Sequence, residues 1–232
     1  SMVLNRVTYM RFLVGLDWNL RVAVEKLRSM IRWRCQVEQP QNYTVKRSIR
    51  THIVKTRFLQ LYGYDRMSRP IIYVNLSRLN MEIAPSDDGD DDDDANNNGT
   101  ESPSSKGKSS VSWDSTESMS LKIKLFLYML ERACERMERI HATNVYQVIW
   151  IIDMDQSPVG LGLVKQMKDL FLEMADYYPD RLHSALLFNT SWTVNIMWSF
   201  VKMFLEERII QKYKFVKKGN DAELVKWIDD MV

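Results

Sequence analysis

At 232 residues, with 45% hydrophobic and 11% aromatic side chains, the chain has enough apolar material for one large α/β domain or two small ones, and as a whole it is not disordered. Its net charge of +2 singles out no partner by itself, and Cys35 and Cys134 lie far apart with no CxxC or Cys/His spacing, which argues against a disulfide scaffold and a structural zinc site. No run approaches the roughly 18 apolar residues of a membrane span, and no basic-then-apolar signal opens the chain, so any membrane contact is expected to be peripheral and the compartment reducing.

Ser1-Met2 reads as a cloning remnant in front of an excised domain. Leu16 to Arg34 then carries Leu20, Val24, Leu27 and Ile31 at helical spacing, with Asn19 near the cap, and Val45 to Leu61 repeats the pattern through Ile49, Ile53 and Val54. PIIYVNL, Pro70 to Leu76, is β-branched and aromatic and suits a strand. From Pro85 to Ser118 the sequence turns to Asp, Asn, Gly and Ser and cannot pack. This insert has ten acidic residues against Lys106 and Lys108, a net of −8, so the rest of the chain carries +10.

Leu121 to Ile140 reads as a long helix with Ile123, Leu127, Leu130, Cys134 and Met137 on one stripe. VIWIID, Val148 to Asp153, is apolar on both faces, as a buried parallel strand should be. Leu163 to Tyr177 is amphipathic, Leu186 to Phe188 is a short central strand, and Lys212 to Val216 is the last one. Between them Trp192 to Leu205 is apolar almost all round, which requires burial in the core or a place over an apolar ligand. The alternation predicts an α/β fold: a mainly parallel sheet with covering helices, preceded by a small helical region. The 7 Trp and 14 Met fit a deformable apolar pocket as well as plain core filling.

The sharpest enzymatic pattern is IIDMDQS, with Asp153 and Asp155 at a strand end, which is similar to the first motif of magnesium-dependent haloacid-dehalogenase-type phosphatases. Later motifs of that chemistry are not matched, since Asp229-Asp230 sits in a helical pattern. His52, His141 and His183 form no ligand set or triad, and Gly160-Leu161-Gly162 lacks the Lys and the spacing of a phosphate cradle. Lys212, Lys214, Lys217 and Lys218 gather near the C-terminus, where they form either a solvated edge or an attraction for anionic headgroups; no basic helix or aromatic platform for nucleic acid accompanies them.

Four segments, in order, resemble the CRAL-TRIO family, which includes fungal phosphatidylinositol/phosphatidylcholine transfer proteins and tocopherol and retinal carriers. They are YMRFLVGLDWNLRVAVEKLRSMIRWR, GYDRMSRPIIYV, VIWIIDM, and YYPDRLHSALLFNTSWTVNIMWSFVKMFLEERIIQKYKFV. The resemblance implies a helical region over 1–62 and a lipid-binding domain over 63–232 that carries the insert at 85–118. It implies a sheet floor and helical walls around one apolar cavity, closed by a gating helix near Met203 to Gln211, with no catalysis and no cofactor.

On that resemblance the pocket is lined by Val148, Trp150, Ile152, Phe188, Phe200 and Phe204. Asp180 and Lys212 match an acidic residue and a Lys that organise the headgroup site in phosphatidylinositol-binding members. Two departures shape the expectation: Leu16 and Asp17 replace a basic pair after RFL, and Val148 and Trp150 replace Ser and Thr positions that hold phosphatidylcholine. The expected partner is therefore a smaller hydrophobe, a sterol-like molecule or another phospholipid, carried by a cytoplasmic monomer that meets membranes transiently and binds no nucleic acid. Trp150 also leaves open a partly filled cavity and a ligand-free module for protein interaction or membrane docking.

Overall fold

The structure, a computed structural model, describes residues 6–36, 53, 56–78, 116–139, 145–157 and 161–231. Most of the helix expected from Val45, the insert up to residue 115, His52 and His141 lie outside these residues. The elements are α1 (Arg6–Gly15), α2 (Leu20–Gln36), β1 (Leu59–Tyr64), β2 (Pro70–Asn75), α3 (Thr116–Arg139), β3 (Val148–Asp153), α4 (Leu161–Tyr177), β4 (Leu182–Thr190), α5 (Trp192–Val201), α6 (Glu207–Ile210), β5 (Tyr213–Lys217) and α7 (Asp221–Met231), with a 3-10 turn at Lys202–Phe204.

The five strands lie in chain order, β1-β2-β3-β4-β5. β1 runs antiparallel to β2, and every later pair is parallel, so the expected mainly parallel α/β sheet is present. Sequential parallel neighbours joined by right-handed crossovers step across the sheet in one direction and leave their helices on one face. One core unites that face with the helices: Val74, Trp150, Ala185 and Leu187 pack with Leu127 and Leu130 of α3, Phe171 of α4, and Val194, Met197 and Val201 of α5. The opposite face is closed too, since Ile71, Ile149 and Leu186 are buried. Such two-sided burial is why β3 reads as a continuous apolar run.

Two sequence expectations change here. Residues 59–61, expected at the end of a helix, belong to edge strand β1, because Leu59 pairs with Val74 and Leu61 with Ile72. The expected boundary at 62/63 falls inside that strand. The last strand starts at Tyr213 rather than Lys212; Tyr213 and Phe215 share the helical face and touch Trp198, while Lys214 lies on the other face, 5.5 Å from the Trp227 ring of α7.

α1 and α2 form a satellite core of Phe12, Ala23 and Met30. Leu27 and Ile31 of the expected stripe pack against it, whereas Leu20 and Val24 are exposed. Asn19 does cap α2, its Oδ1 accepting the Val22 N–H at 3.2 Å. The pair seats on α4 through Trp33, stacked on Tyr177 at 4.3 Å. Arg34 also pairs with Glu131 of α3, which accepts the Tyr178 hydroxyl at 2.6 Å.

Candidate functional site

An apolar cavity of about 80 Å³ lies between the sheet and helices α3 and α4. Trp150, Ile152, Leu182, Ala185, Leu187 and Tyr213 form its floor, and Phe126, Met167, Phe171 and Met174 are among the residues of its roof. The parity of the strands builds this floor. Trp150 pairs with Ala185, Ile152 with Leu187, and Ala185 with Tyr213, so these side chains project to one side.

Of the six residues expected to line the pocket, Trp150 and Ile152 do so. Val148 shares their face but is fully buried in the core rather than on the cavity wall. Phe188 pairs with Asp153 and, as the neighbour of Leu187, projects to the opposite face of the sheet. Phe200 and Phe204 are 50% and 44% exposed on the outside of the molecule. The helix expected to be apolar all round thus buries one face in the core and leaves the other outside, and none of its residues lines the cavity. Val194, Met197, Trp198 and Val201 of α5 face inward, and Trp192, Ile196, Phe200, Met203 and Phe204 stand in solvent.

The residues missed are Leu182, Ala185, Leu187 and Tyr213, together with the helical roof. Reading β4 as only Leu186 to Phe188 hid its parity, which becomes legible once the strand is extended back to Leu182. The stripe on α4 was recognisable, but nothing in its spacing separates a cavity roof from core.

Asp180 and Lys212 are brought together below the cavity, at the amino ends of β4 and β5. Lys212 Nζ lies 3.2 Å from Asp180 Oδ1 and donates to the Leu182 carbonyl at 2.6 Å, so each candidate headgroup residue is the other's counter-ion. Asp180 Oδ1 also accepts Gln147 Nε2 at 3.0 Å, and Gln147 Oε1 meets His183 Nδ1 at 3.3 Å. His183 Nε2 meets Arg69 Nη1 at 2.6 Å, and Arg69 Nε is held by Asp65 at 2.5 Å. One polar chain therefore links the starts of all four parallel strands. Burial first, then the Arg69 charge, pushes the His183 imidazole below its ordinary range.

Beside this chain, Arg11 of α1 is buried and donates to the Pro179 carbonyl at 3.2 Å. Burial, and then Arg181, lower its pKa to about 9. Gly15 permits the approach, since a Cβ there would stand 3.0 Å from Pro179 Cβ.

The Asp-Met-Asp motif caps the other end of the sheet. Asp153 accepts the Asn189 amide at 2.9 Å, the Asp155 N–H at 3.0 Å and the Asn75 amide at 3.3 Å, and Asp155 pairs with Lys218 at 2.5 Å. Both carboxylates are committed to neighbours, and among the described residues no group of three His, Cys, Asp or Glu gathers as a metal site. No helix among them is long and apolar enough to cross a membrane.

The CRAL/TRIO domain family matches residues 55–231. The fold is similar to the crystal structure of Sfh5, with a TM-score of 0.63 and 11% sequence identity, over 94% of this chain and 66% of that one. At that identity the likeness is one of fold, and the chain spans slightly less than two thirds of the Sfh5 chain. A search of the curated proteins found no match.

Proposed function

The chain belongs to the CRAL/TRIO domain family, and from that premise we propose that it holds a hydrophobic lipid in the cavity above β3, β4 and β5 and transfers, presents or senses it at membranes without catalysis. The observation that carries this reading is the cavity itself, walled by apolar side chains from four strands and two helices. Such a wall can shield an acyl or ring surface from water at about 25 cal/mol per Å², which offsets the cost of removing that surface from a bilayer. Transfer breaks no bond, so no nucleophile or general base is called for.

The outer face of α5 and the 3-10 turn supports contact with a membrane. Trp192, Phe200, Met203 and Phe204 present an apolar surface, with Lys202 exposed and Lys168 Nζ 4.6 Å from the Phe204 ring. Aromatic side chains flanked by lysines suit the boundary between headgroups and acyl chains of an anionic leaflet. In this reading the protein works as a cytoplasmic monomer that docks transiently. Segment 203–211, with α6 in it, is the gate, and the Asp180–Lys212 pair closes the end of the sheet below the cavity.

A second reading is favoured by the size of the cavity. At about 80 Å³ it is too small for paired acyl chains in the present conformation, and Phe126 packs 5.8 Å from Trp150. On that reading the cavity stays closed and the exposed α5 face docks a protein or a membrane. Transfer of fluorescent lipids between donor and acceptor vesicles separates the two. The carrier reading predicts transfer catalysed in proportion to protein, and vesicle binding without transfer supports the closed module.

A further inference from the structure

A buried polar group without a partner belongs to the cavity wall. Trp150, Ala185 and Tyr213 stand in one row across β3, β4 and β5. With strands about 4.8 Å apart, the two aromatic residues flank a single methyl group, and the row is a slot with an indole on one side and a phenol on the other. Phe126 and Phe171 close it from the helices, with ring centroids 5.8 Å and 5.9 Å from those of Trp150 and Tyr213.

The Trp150 Nε1 is buried with no hydrogen-bond partner. An indole N–H can only donate, so what it lacks is an acceptor. The Tyr213 side chain is buried on the same wall, and that burial raises the pKa of its hydroxyl. Folded proteins satisfy nearly all such groups, so an orphan donor on a cavity wall is unusual for plain core. None of the described residues of the cavity wall carries a charge, so none of them would balance an ionic headgroup.

Resting on the lipid-cavity reading above, we infer that the ligand is a compact, neutral hydrophobe carrying one hydrogen-bond acceptor, a carbonyl, ether or hydroxyl oxygen, which takes the Trp150 N–H with Tyr213 as its second polar contact. The small volume and the narrow slot select a ring system over paired acyl chains. Met154, Met167 and Met174 in the wall supply the deformable side chains that such an entry requires.

The test uses the full chain and two probes of nearly equal shape, 2-acetylnaphthalene and 2-ethylnaphthalene, which differ by one carbonyl oxygen. Their affinities are measured by calorimetry for the wild type, Trp150→Phe and Tyr213→Phe. Because Trp150→Phe also enlarges the space, the readout is the ratio of the two affinities within each protein. The wild type is expected to prefer the ketone by about tenfold, with the preference lost in Trp150→Phe and reduced in Tyr213→Phe.

Equal binding of both probes by the wild type, or a preference that survives Trp150→Phe, overturns the inference and leaves the cavity reading standing. So does a chain that binds neither probe yet retains a lipid from its host. If it binds neither probe and retains no lipid, both fall.

Discussion

The Nε2 of His183 stands 2.6 Å from Nη1 of Arg69, and because a guanidinium can only donate, the imidazole must accept there and carry its proton on Nδ1. That tautomer places Nδ1–H toward Gln147 Oε1 and turns the Gln147 amide toward Asp180. Neutral histidine is therefore built into the polar chain along the starts of the strands. The charged and titratable groups around it are Arg69, Asp65, Lys212 and Asp180.

The first prediction concerns pH. The folded-state pKa of His183 lies below the ordinary 6.5, so the unfolded chain binds the extra proton first. The contribution to stability is complete above pH 6.5 and is lost as pH falls through that value toward the folded pKa. Denaturant melts should show stability falling as the pH drops below about 6.5, and His183→Gln should flatten that part of the profile. An unchanged slope in the variant would show that His183 is not held neutral.

Arg208 ties α6 to the end of α1. It donates to the carbonyls of Val14, at 3.3 Å, and Gly15, and reaches Asp17 at 3.4 Å, at the negative end of the helix dipole. Arg208→Ala should cost about 1 kcal/mol of stability and speed lipid exchange, measured by stopped-flow transfer to vesicles. Exchange at the wild-type rate would mean that α6 does not leave α1 when lipid passes.

Trp192 is 72% exposed and Phe204 44% exposed, so their replacement should spare the fold. Each contributes about 1 to 2 kcal/mol of burial at a bilayer surface. Trp192→Ala and Phe204→Ala should each weaken sedimentation with anionic vesicles by about tenfold, with melting temperatures unchanged. Undiminished binding would place the docking surface elsewhere.

Ala185 is the small residue in the slot between Trp150 and Tyr213. Ala185→Leu should fill that space and abolish retention of ligand while costing no more than about 1 to 3 kcal/mol, the usual penalty for overpacking. Lipid retained by the folded variant would move the binding site away from the slot.

Much of this was legible in the chain. β3 was bounded at Val148 and Asp153 because a strand buried on both faces is a continuous apolar run, and the succession of helices and strands led to the parallel sheet. The floor of the cavity was legible in part. Trp150 and Ile152 were named through the family resemblance and share one face by strand parity, whereas Phe188 lies on the other face, because three residues of a nine-residue strand do not fix its pairing. α5 misled for a different reason. Its sequence is apolar all round, and composition cannot say that a helix leaves an aromatic face in solvent, which costs stability and makes sense at a membrane.

The measurement that bears most directly on the central claim is native mass spectrometry of the freshly purified chain, followed by organic extraction and identification of what is released. The account predicts one hydrophobic molecule per chain, lost in Ala185→Leu. A clean apo mass for the wild type, together with no transfer between vesicles, would contradict it.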